Sequence, residues 1–149
     1  MVEGFSSFVA ANEPRLRHAL IASLGPDVGR EAAADALAHG WEHWDRVHEM
    51  ENAVGYLYVV GRDLGRRRRR RWRVVFPDVA EQNLPWVEPG LTTALSTLSE
   101  RERTVVVLLH GYGWVMSEVA TTLGISKGSV QTYANRGMGK LRRKLGAER

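Results

Sequence analysis

The sequence predicts an all-α protein made of two small helical domains joined by a proline-containing linker, the second domain carrying a helix-turn-helix. Three observations lead there. Apolar residues recur three and four apart over most of the chain, the period of a helix with one buried face. Between residues 74 and 91 that period stops, and Pro77, Pro85 and Pro89 favour an extended connection because proline fixes φ and removes a donor. The stretch Ser117 to Arg136, SEVATTLGISKGSVQTYANR, reads as two helices joined by a short turn at Gly124. The expected units are therefore 1–73, a linker over 74–91, and 92–149.

Taken in order, Phe5, Phe8 and Val9 form a short apolar stripe. Asn12 as a cap and Pro14 in the first turn then predict a helix through Leu16, Leu20 and Leu24. Gly25-Pro26 is expected to stop it, and Asp27 to cap the next helix. There Ala33, Ala36, Leu37, Gly40, Trp41 and Trp44 share a face, with Glu31, Asp35, Glu42 and Asp45 elsewhere. The pattern lapses from Val47 to Asn52. Asn52 then caps a helix with Ala53, Leu57, Val60 and Leu64 on its apolar line and Tyr56, Tyr58 and Arg62 off it. That helix runs into the arginines Arg66 to Arg71, followed by Trp72 and Arg73. Such a run is a solvated charge tract, a localisation-like tract or a grip on nucleic-acid backbone. Its place at the end of an amphipathic helix, with aromatics nearby, favours the grip.

Within the linker Trp86 is a candidate anchor. Helical period returns with Ala94, Leu95 and Leu98, and Ser99 with Glu102 forms a capping box opening a helix through Val105, Val106, Leu108 and Leu109 to Gly111. In the helix-turn-helix, Val119, Ala120 and Leu123 line the first helix, Gly124 ends it, and after Ile125 the chain restarts at Ser126, a preferred N-cap. On the second helix Val130, Ala134, Met138, Leu141 and Leu145 fall on one side. Gly128, Thr132, Asn135, Arg136 and Arg143 fall opposite, flanked by Ser129 and Gln131. A solvated amphipathic helix would share this apolar side. The glycine turn, the serine cap and the local excess of lysine and arginine favour a helix that enters the DNA major groove. Gly137 and Gly139 each cost about 1 kcal/mol in a helix interior and point to close approach of another helix or of DNA.

With 149 residues and 44% hydrophobic content the chain has material for one ordinary domain or two small helical ones. It has no cysteine, which excludes a disulfide framework and a thiolate metal site. Glu3 precedes the first basic residue, Arg15, and the longest aliphatic run is Val105 to Leu109. Neither a signal peptide nor a membrane span is expected, and the expected location is the cytoplasm. The net charge of +4 is unevenly spread: −5 over residues 1–61, +7 over 62–73, −4 over 74–126 and +6 over 127–149. Two basic blocks between acidic ones suit a protein that touches a polyanion at two places and something else with its acidic faces.

With these residues in hand, the chain resembles the bacterial RNA polymerase sigma factors of the extracytoplasmic-function type over nearly its whole length. The C-terminal likeness is the more specific, in LSERERTVVVLLHGYGW from Leu98, SEVATTLGIS and KGSVQTYANRGMGKLRRKL. Glu118, Val119, Ala120, Leu123, Gly124, Ile125, Ser126, Gly128, Ser129 and Val130 match the family pattern E-[IV]-A-x-x-L-G-[IV]-S-x-G-[ST]-V. In the family this unit is region four, which reads the −35 promoter element. The resemblance thus implies Lys127, Ser129, Gln131, Thr132, Asn135 and Arg136 at the −35 major groove. There Arg136 is suited to guanine and Gln131 or Asn135 to adenine, while Lys140, Arg142 and Arg143 are suited to phosphates.

The N-terminal likeness is looser. Asp35 to Trp44, DALAHGWEHW, stands where the family has D-L-x-Q-E-x-F, the acidic helix that docks on polymerase, and lacks its glutamine. Asp35, Leu37, Trp41 and Trp44 are the implied polymerase contacts. GYLYVVGRDLGRRRRRR stands for the element that melts and reads the −10 sequence, with Asp63 where the family usually has asparagine. Tyr56, Arg62, Arg66, Arg67 and Arg70 are implied at the single strand, and the Asp63 departure implies a variant −10 preference or weak melting. The resemblance implies core RNA polymerase and promoter DNA as partners, together with an anti-sigma protein.

Two other readings compete. His39-Gly40-Trp41-Glu42-His43 satisfies H-x-x-E-H, a zinc-hydrolase pattern with Glu42 as base and His48 as a further ligand. Gly40 weakens that helix, no distant glutamate ligand stands out, and polar residues flanking buried Trp41 and Trp44 are the plainer account. No catalysis, metal, cofactor or small-molecule substrate is therefore expected. A helix-turn-helix regulator acting without polymerase would share the C-terminal half, and only the first 73 residues argue against it.

Overall fold

The computed structural model describes residues 2–75 and 90–147, with the side chains of 69–75 and 147 outside the described set. Expectations for Pro77, Pro85, Trp86 and Pro89, and for the side chains of Arg70 and Trp72, fall outside it. The described residues form eight α-helices and no strand. They are α1 (Val2–Leu24), α2 (Pro26–Glu42), α3 (Trp44–Val47), α4 (Ala53–Val75), α5 (Leu91–Ser96), α6 (Glu100–Val106), α7 (Met116–Leu123) and α8 (Lys127–Ala147). α6 widens into a π-helical turn over Val107–Gly111. No helix among the described residues is long and apolar enough to cross a membrane.

Three local expectations are corrected. α1 starts at Val2 and passes through Pro14, so Asn12 is not its cap. A proline inside a helix removes one backbone donor, here the partner of the Ala10 carbonyl, and the Asn12 amide nitrogen, instead of capping, donates to the Phe8 carbonyl at 2.9 Å. The early turns are held by packing, with Phe5 against Trp41 and Trp44 and Phe8 against Trp44, at ring separations of 5.2–5.3 Å. At α2, Gly25 with φ 91° is the N-cap and Pro26 the first helical residue, so Asp27 lies in the first turn. It is the N1 position that tolerates proline, whose missing N–H would have no partner there anyway.

The third correction concerns α4. Asn52 does cap it, accepting from the Gly55 N–H at 3.0 Å. Its buried line, however, runs through Leu57, Tyr58, Gly61 and Gly65, not through Val60 and Leu64, which are half-buried. A Cβ at Gly61 would lie 2.7 Å from Leu20, so the glycine lets α1 come close along this line and brings Tyr58 inside.

α1, α2 and α4 pack on one another through Leu16, Leu20, Leu24, Ala32, Ala33, Ala36 and Leu57. α6, α7 and α8 pack through Val105, Leu108, Val119, Leu123, Val130 and Ala134. All these residues belong to one continuous buried cluster. A smaller cluster of Ala94, Leu98, Val106 and Leu141 fastens α5 and α6 to α8.

Candidate nucleic-acid interface

The helix-turn-helix is built as its sequence requires. Gly124 ends α7 with φ 69°, a left-handed conformation that L side chains rarely adopt, and the Ile125 N–H returns to the Ala120 carbonyl at 3.0 Å. Ser126 Oγ accepts from the Ser129 N–H at 3.0 Å, capping α8. Val130, Ala134 and Leu141 are buried, with Met138 and Leu145 half-buried beside them. Gly137 has a packing cause, because a Cβ there would lie 2.6 Å from Val106 of α6. At Gly139 the same Cβ would meet only the Arg143 side chain, at 3.8 Å, so nothing packed against it requires glycine.

The opposite face of α8 is open. Lys127, Gln131, Thr132, Asn135 and Arg136 are exposed and Ser129 is half-buried. The Gln131 amide nitrogen donates to Asn135 Oδ1 at 2.9 Å, fixing the two amides as a pair, and Thr132 Oγ1 donates to the Gly128 carbonyl at 3.0 Å. Lys127, Arg136, Arg142 and Arg143 have no carboxylate partner among the described residues. Lys140 differs, because its ammonium donates to Glu102 Oε1 of α6 at 2.8 Å.

Glu102 is buried and also closes the capping box expected from the sequence. Its carboxylate accepts from the Ser99 N–H at 3.0 Å while its own N–H donates to Ser99 Oγ at 3.1 Å. Burial opposes its charge, but the Lys140 ammonium and the Ser99 donors outweigh burial and hold the carboxyl below its ordinary value.

The arginine end of α4 is arranged otherwise. The Arg66 guanidinium grips Glu100 of α6 with two nitrogens, Nε at 3.0 Å, and stands 3.8 Å from Asp63. Arg68 donates to Glu31 and lies 3.1 Å from Asp35, so the expected polymerase contact Asp35 is paired within the chain. Arg62 lies over the Tyr58 ring at 5.7 Å, and Arg67 is exposed. Tyr56 OH meets His39 Nε2 at 2.9 Å. Leu37 and Trp44 are half-buried against neighbouring helices, whereas Trp41, expected inside, is 48% exposed at the edge of the aromatic group. Phe5 of α1 is the ring that packs against it.

The histidines of the zinc-hydrolase pattern do not converge with other ligands. His39 and His43 stack at 4.2 Å, and His43 Nδ1 donates to the His39 carbonyl at 3.0 Å. Burial first, then the neighbouring His43, lowers the His39 pKa. Among the described residues no three histidine, aspartate or glutamate side chains group to hold a metal.

Sequence reasoning missed Ser23, Tyr58, Glu100 and Thr104, which join the α1/α4 side of the molecule to α6. The available signal was polarity out of place: Ser23 sits beside Leu20 and Leu24, and Thr104 beside Val105, on faces otherwise apolar.

Comparison with known proteins agrees with this geometry. The family described as Sigma-70, region 4 matches residues 94–143, which span α6, α7 and most of α8. The ECF RNA polymerase sigma factor SigL of Mycobacterium tuberculosis is 25% identical over 150 aligned positions, covering 89% of this chain and 85% of the relative. The RNA polymerase sigma-E factor of Streptomyces antibioticus is 30% identical over 122, covering 74% and 66%. In fold, the chain is similar to the sigma factor RpoE in its co-crystal structure with the anti-sigma factor NepR from Bartonella quintana. The TM-score is 0.65 at 22% identity, over 97% of this chain and 98% of that one. The chain belongs to the RNA polymerase sigma factors of the extracytoplasmic-function type.

Proposed function

We propose that residues 1–73 bind core RNA polymerase and the −10 region while residues 92–149 place α8 in the major groove of the −35 element, so that together they direct polymerase to initiate at particular promoters. The observation that carries this is the open face of α8. Exposed Gln131, Asn135 and Arg136 stand on a helix whose other side is fixed in a core, the placement that base-edge hydrogen bonding needs. Arg142 and Arg143 continue that face as phosphate contacts. Lys140 joins them only by leaving Glu102.

In the N-terminal half, Trp41 and the half-buried Leu37 and Trp44 are the apolar part of the polymerase contact, with Asp35 its charged part. Tyr56, Arg62, Arg66, Arg67 and Arg70 hold the separated strand by stacking and charge. An anti-sigma protein is a further proposed partner, as it is for the Bartonella quintana sigma factor. Gel filtration of the purified chain with core polymerase tests the reading. Co-elution is expected, and DNA binding without co-elution would reduce the chain to a helix-turn-helix regulator.

A further inference from the structure

The two sides of the molecule meet through a polar clasp beside their shared core. Ser23 Oγ of α1 lies 2.6 Å from Tyr58 OH of α4 and 2.9 Å from Thr104 Oγ1 of α6. It also lies 2.9 Å from its own Ala19 carbonyl, while Thr104 Oγ1 lies 2.6 Å from its own Glu100 carbonyl. Three hydroxyl protons thus face four contacts, so one of the four has no proton of its own. Ser23 and Thr104 each keep an acceptor four residues back in their own helix, and Tyr58 stays beside Ser23 on the α1/α4 side, so all three hydroxyls keep a partner if α6 moves away. Around this point Arg103 donates to the Ser23 carbonyl at 2.6 Å, Asn52 to the Thr121 carbonyl at 2.7 Å, and Arg15 to Glu118 at 3.0 Å. His18 stacks on Tyr112 at 4.1 Å.

The polar part of this seam separates at less cost than the shared core beside it, because its groups find water or local partners on opening. A further member is Arg66 with Glu100. We propose that Glu100 acts as a built-in substitute for a DNA phosphate: in the closed chain its carboxylate occupies the guanidinium face of Arg66, and a single strand reaches Arg66 only when α6 moves away. This rests on the assignment of Arg66 to the strand made above. Carboxylate and phosphate take the same two N–H groups of a guanidinium, so the two cannot be bound together in that geometry. The pair is partly exposed, at 41% for the Arg66 side chain and 26% for Glu100, so solvent screens it and it parts at modest cost when α6 moves.

The absence of native cysteine allows the test in the full chain. Spin labels at Ala10→Cys on α1 and Ser96→Cys on α5, both exposed, report the separation of the two sides by pulsed dipolar spectroscopy. Without DNA, Glu100→Gln should lengthen that distance, and a short single-stranded oligonucleotide should lengthen it in the otherwise unaltered chain. Unlabelled Glu100→Gln should bind the oligonucleotide about fivefold more tightly. The exchange Arg66→Glu with Glu100→Arg should restore the short distance without the gain in affinity, which separates a lost ion pair from a damaged helix. An unchanged distance in DNA-free Glu100→Gln overturns the clasp. A longer distance with unchanged affinity overturns the substitution for phosphate through the failure of Arg66 as a strand contact, and so distinguishes the two failures.

Discussion

The basic residues of α8 and those at the end of α4 both belong to positive blocks, yet their surroundings differ. On α8, Lys127, Arg136, Arg142 and Arg143 face outward with no carboxylate beside them among the described residues, and Lys140 alone is drawn inward, to Glu102. On α4, Arg66 and Arg68 are held by Glu100, Glu31 and Asp35, while Arg67 stays exposed. A duplex reader can be left open, since double-stranded DNA is always available to it. In the proposed roles, a single-strand grip has no use until strands separate, and pairing it with internal carboxylates would keep it from binding polyanions indiscriminately.

The contrast can be broken first at its inward lysine. Glu102→Ala removes the Lys140 partner and the acceptor of the Ser99 N–H together, leaving buried donors unpaired, and should cost about 3 kcal/mol of unfolding free energy by urea titration. The same carboxyl predicts a pH effect. Its folded value is depressed, so its contribution is complete above the ordinary carboxylate range and is lost as pH falls through the folded value. Denaturation followed from neutral pH to about pH 3 should show this loss in the parent chain and not in Glu102→Gln.

A smaller effect sharpens the α8 side. Arg136→Ala should cost about 2 kcal/mol at one base position of the bound duplex, whereas Arg143→Ala should weaken every sequence alike and flatten the salt dependence. Equal losses on all sequences for both variants, measured by competition with single-base variants, would contradict the division between base and phosphate contacts. The smallest effect lies at Gly139, where alanine should stabilise α8 by about 1 kcal/mol in a thermal melt. At Gly137 the same change should destabilise it against Val106.

Much of this was legible where one local rule acted alone. The buried side of α8, the Ser99–Glu102 box, the Ser126 cap and the Gly124 turn follow from periodicity and capping, and the structure has each of them. The start of α1 was not legible because Asn12 and Pro14 together carry the local signal of a helix start, overridden here by the Phe5, Phe8, Trp41 and Trp44 contacts from distant sequence. The inner line of α4 was hidden because glycines at 61 and 65 read as weak helix formers, although they are where another helix comes near. The clasp is a pairing of residues some eighty positions apart, Ser23 with Thr104, and no spacing rule reaches that far.

The central claim is that one chain supplies polymerase with both promoter contacts. Transcription by core polymerase from a randomised promoter library, with and without the chain, tests it directly. Initiation that depends on the chain, from templates sharing two separated sequence elements, of which the upstream one loses its base preference in Arg136→Ala, is the predicted result. Initiation at no template in the library, with no inhibitor present, would contradict it.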